Sequence, residues 1–190
     1  ACSFSKEVAV RLAATSLLKQ INMVTVIIPA LNEEKTIGQV VKLVNRSPVV
    51  FEVIVVDDNS CDQTVARARQ EGATVISSTM LGKGASMKDG ILYARTEIIA
   101  FLDADILTYP ENVIELLTNP IREDRADFVK SCFSRQAGRV TELLAKPLLS
   151  ILFPALPNFK QPLSGMIAGK KSYFEQCEFE TGYGVDIGLL

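Results

Sequence analysis

Apolar residues in this chain fall into short continuous runs, and the segments between them carry apolar residues at helical spacing. Val24-Thr25-Val26-Ile27-Ile28 is β-branched and apolar on both faces, which predicts a strand buried inside a sheet. Pro29 removes a ladder donor and closes it. Ile37, Val40, Val41 and Val44 then recur at helical intervals; Asn32 is a candidate N-cap, Glu33 and Glu34 suit the positive helix end, and Ser47-Pro48 ends the helix. Phe51 to Val56 predicts a second strand, ending in Asp57-Asp58-Asn59-Ser60. Asp62 or Ser60 can cap a helix through Val65, Ala68 and Arg69 to Glu71, and Gly72 stops it. Ala73-Thr74-Val75-Ile76 predicts a third strand, Leu81-Gly82-Lys83-Gly84 a loop, and Ala85 to Ala94 a helix. A fourth apolar run, from Ile98 to Leu102, predicts a strand that stops at Asp103-Ala104-Asp105.

Strands alternating with helices at this spacing define an α/β fold, with a mainly parallel Rossmann-like sheet and helices on both faces. Further on, Pro110 to Thr118 reads as a helix with proline in its first turn, and Asp127 to Phe133 as a strand. Gly138-Arg139-Val140-Thr141 opens a helix carrying Leu143, Leu144, Leu148 and Leu149, which Pro147 kinks or breaks. Pro154 to Pro162 is a loop, and Leu163 to Ala168 a weaker strand in which Gly165 permits close approach to a ligand. Gly182-Tyr183-Gly184 is a flexible turn, and Val185-Asp186 starts a last helix. The expected division is an N-terminal helical arm over 1–22 and one domain over 23–190 with two halves, 23–109 and 110–190. The chain has no initiator Met and stops inside the apolar pattern Ile187 to Leu190, so both ends are expected to be incomplete.

Composition narrows the possible functions. At 190 residues, 48% hydrophobic and 22% charged, the chain is globular. A net charge of −2 argues against a nucleic-acid-binding surface. The absence of histidine excludes, within this chain, His-based acid–base chemistry, His metal ligation and a Ser-His-Asp triad. Cys2, Cys61, Cys132 and Cys177 show no C-x-x-C spacing and read as reduced thiols of a cytoplasmic protein. The longest apolar stretch, Leu143 to Leu156, is broken by Lys146, Pro147 and Pro154. It is too interrupted for stable membrane insertion and is a candidate homodimer surface.

The candidate chemistry sits at strand ends, where open α/β sheets bind ligands. In extended backbone Asp103 and Asp105 would leave on one face. Two such carboxylates repel unless a cation joins them, and hard oxygen ligands suit Mg²⁺ or Mn²⁺ together with substrate phosphates. Asp57 or Asp58 can accept from a base N–H, and Glu33 from a ribose hydroxyl. Lys83, on its loop, can reach a phosphate. Neither G-x-G-x-x-G nor G-x-x-x-x-G-K-[ST] is present, so dinucleotide and P-loop sites are not indicated. The set describes a nucleoside diphosphate bound along the strand tips. A nucleotidyltransferase, or a nucleotide-binding module without catalysis, would also use such a set.

Val24 to Glu34, then Val55-Val56-Asp57-Asp58-Asn59-Ser60 with Asp62 and Thr64, then Gly82-Lys83-Gly84, then Asp103-Ala104-Asp105 resemble the family 2 type of GT-A glycosyltransferase. Val129-Lys130-Ser131, Gly138 to Leu149, Gln161 to Gly165 and Gly182 to Gly188 are similar to the glucosyl-3-phosphoglycerate synthases. The resemblance implies retaining transfer of glucose from UDP-glucose to 3-phosphoglycerate with Mg²⁺; a polyprenyl-phosphate sugar transferase is the near alternative. It implies uridine at Pro29, Ala30, Leu31 and Glu33, with Asp58 or Ser60 at the base, and donor contact from Lys83. Asp103, Ala104 and Asp105 would form the ribose and metal motif, with Asp105 the direct ligand. Gly138, Arg139, Val140 and Thr141, with Gly165, would hold the acceptor. Such enzymes usually add a His ligand from a later segment, and often have Glu where Asp186 stands. Asp186 would orient sugar or acceptor without acting as a nucleophile, leaving front-face transfer.

Overall fold

A computed structural model describes residues 22–132, 140–155, 160–182 and 184–189. The expected N-terminal arm, apart from Asn22, and Gly138, Arg139 and Tyr183 lie outside the described residues. The order is β1 (Val24–Ala30), α1 (Ile37–Val44), β2 (Val50–Asp57), α2 (Thr64–Gln70), β3 (Thr74–Ser77), α3 (Lys83–Tyr93) and β4 (Ile98–Phe101). Then come α4 (Val113–Arg122), β5 (Phe128–Lys130), a π-helical turn (Thr141–Ala145) continuing into α5 (Lys146–Leu152), β6 (Ile167–Lys170), α6 (Lys171–Phe174) and α7 (Val185–Gly188).

The six strands form one sheet in the order β3-β2-β1-β4-β6-β5. β1 pairs in parallel with β2 and β4, and β2 with β3, whereas β6 runs antiparallel to β4 and β5. The chain builds outward from β1 through β2 to β3, then crosses back to place β4 on β1's other side. That reversal leaves a crevice beyond the carboxyl ends of β1 and β4, the usual ligand position in such sheets. The β1 side chains alternate between two cores. Val24, Val26 and Ile28 meet α1 and α4 residues such as Val41 and Leu117. Ile27 meets Met87 and Ile91 of α3, with Phe174 and Val185 in the same cluster. Burial on both faces accounts for the continuous apolar runs.

Several elements differ from expectation. Asn32 is not an N-cap: it sits at φ 56°, in the left-handed region, and α1 begins after Thr36. Neither Asp62 nor Ser60 is the cap of α2: Gln63 precedes the helix without a side-chain cap bond, Asp62 accepts the Thr64 N–H at 2.9 Å from one residue further back, and Ser60 serves elsewhere. α3 starts at Lys83, so that lysine stands on the helix's first turn rather than on a loop. β4 ends at Phe101, two residues before Asp103, because the chain turns at Ala104-Asp105. α4 starts after Pro110 and runs on through Pro120. The sixth strand begins at Ile167, beyond Gly165. Ahead of Pro147 the helix widens into a π turn and continues, which accommodates a residue that lacks a donor. Among the described residues no helix is long and apolar enough to cross a membrane.

Candidate active site

The rim of the cleft is the loop after β1, and the turn after β2 holds it. Each backbone N–H of Asn32, Glu33 and Glu34 finds a side-chain acceptor from that turn: Ser60 Oγ at 2.9 Å, Thr64 Oγ1 at 2.7 Å and Asp62 Oδ2 at 3.1 Å. Asn32 Oδ1 in return accepts the Cys61 N–H at 2.9 Å, and Glu34 Oε2 the Gln63 N–H at 3.1 Å. A loop with its donors satisfied this way needs no water to complete them and keeps one shape. Asp58, next to the turn, accepts the Gly82 N–H with both oxygens, at 2.9 and 3.1 Å, and so fixes the entrance to α3.

Lys83 is the centre of the charged cluster. Its ammonium lies 2.9 Å from Asp103 Oδ1 and 3.1 Å from Asp186 Oδ2, with its side chain 14% exposed. Burial alone would lower its pKa, but the two carboxylates hold it above the ordinary lysine value. Burial raises the Asp186 carboxyl despite Lys83, and among the described residues its Oδ1 has no hydrogen-bond partner. The glycines beside Lys83 have a packing reason. The Gly84 N–H donates to the Thr181 oxygen at 3.0 Å, and a Cβ at Gly82 or Gly84 would strike the main chain of Thr181 or Glu180. Close backbone approach joins the start of α3 to the segment leading into α7, which carries Asp186.

The Asp103-Ala104-Asp105 turn is pinned from below by Tyr109. The Tyr109 hydroxyl accepts from the Asp103 N–H at 2.9 Å and donates to the Asp103 carbonyl at 3.0 Å. Burial, with Asp103 next in effect, raises the phenol's pKa, so it stays a donor. Asp105 is exposed and makes no hydrogen bond or ion pair among the described residues. Gly165 lies against the Lys83–Asp103 pair, where a Cβ would collide with both groups. The ligand that Gly165 approaches closely is thus the protein's own ion pair.

These groups line one cleft of ≈ 770 Å³. Pro29, Ala30, Leu31 and Glu33 come from β1 and its loop, and Asp58 from the end of β2. Lys83 comes from α3, Asp103, Ala104 and Asp105 from the turn after β4, and Asp186 from α7. Ser60 is not among the lining residues; it holds the rim from behind. Val140 is exposed and Thr141 buried, and neither lines the cleft. Sequence reasoning missed Tyr109 and Ser86; Ser86 lines the cleft with its buried hydroxyl unpartnered among the described residues. Nothing in the pattern marks either residue. Among the described residues no group of three or more His, Cys, Asp or Glu could hold a metal. The free Asp105 and the Asp103 oxygen that Lys83 does not bond nevertheless fit Mg²⁺ or Mn²⁺, which binds through one or two carboxylates and completes its shell from phosphates and water.

Comparison with known proteins agrees with this geometry. The glucosyl-3-phosphoglycerate synthase of Mycolicibacterium smegmatis is 36% identical over 189 residues, covering 88% of this chain and 62% of that protein. The enzyme of the same name from Petrotoga mobilis is 34% identical over 197 residues, 90% of this chain and 61% of its own. The chain therefore spans about three fifths of the length of these curated relatives. A crystal structure of Mycobacterium tuberculosis glucosyl-3-phosphoglycerate synthase, in complex with Mn²⁺, UDP-glucose and phosphoglyceric acid, superposes with a TM-score of 0.84 at 35% identity, over 91% of this chain and 65% of that one. Another holds Mg²⁺ and UDP. The sequence model of glycosyl transferase family 2 matches residues 25–175, and with the strand-tip cleft in place the chain belongs to that family.

Proposed function

We propose that this chain carries the nucleotide-sugar site of an enzyme that moves glucose from UDP-glucose to 3-phosphoglycerate with retention, using Mg²⁺ or Mn²⁺. The observation that carries the reading is the convergence of the strand-tip residues on one cleft. Likeness to relatives and solved structures named for that reaction supports it. Uridine would lie on Pro29, Ala30, Leu31 and Glu33, beside a loop whose Asn32 and Glu33 N–H groups are already bonded to Ser60 and Thr64. Asp58 would meet the base; it has acceptor capacity left after binding Gly82. The diphosphate would reach Asp105 with Asp103 beside it. There a divalent cation would supply the Lewis-acid charge that stabilises the leaving UDP.

The chain's own groups account for the remainder. Lys83 carries positive charge toward the diphosphate from the first turn of α3, at the positive end of that helix. Asp103 and Asp186 both face Lys83, so neither stands free as a nucleophile. Transfer is therefore front-face: the acceptor oxygen bonds to the anomeric carbon as the carbon–phosphate-oxygen bond breaks, and the acceptor's proton passes to the departing phosphate oxygen. Asp186 orients the sugar with its unpartnered Oδ1. The acceptor phosphate would meet Gly138 and Arg139, outside the described residues, near Val140 and Thr141 at the mouth of the π turn. The exposed Leu143, Leu148, Ile151 and Phe153 support a homodimer through this helix, and the free Cys61, Cys132 and Cys177 support a cytoplasmic location.

The test is UDP release by the full-length protein from UDP-glucose, with 3-phosphoglycerate or a polyprenyl phosphate as acceptor. Glucosyl transfer to 3-phosphoglycerate is expected. Transfer to the lipid phosphate alone, or release of pyrophosphate, would overturn the reading. Light scattering on the same sample reads the dimer.

A further inference from the structure

Lys130 ends β5 with its ammonium turned inward. Nζ donates to the main-chain oxygen of Asp186 at 2.7 Å, a bond between residues 56 apart in sequence. Among the described residues it is the only side chain that bonds the main chain of α7. α7 is four residues long, too short to hold its own orientation by helical bonding. Lys130 does not line the cleft. Its surroundings are nonetheless those of the site: burial pushes its pKa down to about 8, with Asp186 and Asp103 opposing and Lys83 adding to the fall. An ammonium half-buried beside a second ammonium is costly to keep, and an edge strand has no structural need of one.

We propose that Lys130 is a positioning residue: by holding the Asp186 main-chain oxygen it fixes the first turn of α7, and with it the direction from which the Asp186 carboxylate meets Lys83. The proposal rests on the cleft being the transferase site described above. It predicts an effect on turnover and none on the nucleotide, because the uridine rim is tied independently through Ser60, Asp62 and Thr64.

The experiment uses the full-length protein. Lys130→Met is expected to lower kcat by about tenfold or more. The KM for UDP-glucose, and UDP affinity by calorimetry, stay within twofold, roughly the spread expected without a lost contact. A general structural defect would move all three. Combined with Asp186→Asn, the loss should be close to that of the more damaging single variant, since both act at one point; losses that multiply would overturn the proposal. Lys130→Arg keeps a donor and should lose less than Lys130→Met, and it carries the test if Lys130→Met does not fold; equal loss in the two variants contradicts the bond as the cause. Hydrogen exchange separates this proposal from the assigned reaction. Even if 3-phosphoglycerate proves not to be the acceptor, the amides of Ile187 and Gly188 should exchange faster in Lys130→Met while those of β1 do not. Unchanged α7 exchange refutes the positioning role.

Discussion

Gly165 lies so close to Asp103 that any side chain at residue 165 would occupy the space of the carboxylate. Lys83 fills the other side of the same space. Gly165→Ala should therefore push Asp103 off Lys83 without unfolding the sheet, because residue 165 precedes β6. Turnover is expected to fall by about 10- to 100-fold, the usual cost of misplacing a group by an ångström. Circular dichroism should stay unchanged. Full activity in this variant would mean that the ion pair is dispensable.

Tyr109→Phe keeps the buried ring and removes one oxygen that serves both main-chain groups of Asp103. Leaving those groups unpaired costs about 1–3 kcal/mol. For a chain of this length that lowers Tm by roughly 2–12 °C in a thermal scan. The turn carrying Asp105 loosens with it, so Mn²⁺-dependent nucleotide binding should weaken as well. Loss of stability with metal binding intact would separate the two roles.

Burial lowers Lys130 from 10.5 to about 8 in the folded protein. In that interval the unfolded chain keeps a proton that the folded chain has released, so the Lys130 contribution to stability rises with pH from about 8 to about 10.5. Below that range both states are protonated and the cost of burying the charge is constant. Denaturant midpoints of the wild type minus those of Lys130→Met should climb across this window. A flat difference, or one that falls, would contradict a half-buried ammonium at this position.

Much of the fold was legible because parallel strands buried on both faces write continuous β-branched runs, as in Val24–Ile28 and Val53–Val56. The strand-tip carboxylates were legible for a related reason: charge at the end of a buried run is costly without a purpose. What could not be read was long-range pairing. Asn32 looks like a cap, but its backbone is set by Ser60 and by its bond to Cys61, across the gap between two strand ends. Lys83 looks like a loop cation, yet it is paired by Asp103 and Asp186, the latter 103 residues away. Tyr109 sits in an unremarkable loop, and its role depends on where the chain folds back. Asp103 and Asp105 both line the cleft, but from a turn rather than from strand alternation, because β4 stops early.

The central claim is that a cation links Asp105 to the phosphates of a nucleotide held on the tips of β1 and β4. Calorimetric titration of UDP into the full-length protein, with and without Mn²⁺, tests it most directly in wild type and Asp105→Asn. Mn²⁺ should tighten UDP binding to the wild type by about tenfold or more, as a lost or gained charged ligand typically does. In Asp105→Asn the metal-dependent increment should vanish while metal-free binding persists. An equal Mn²⁺ increment in the two proteins would contradict the account.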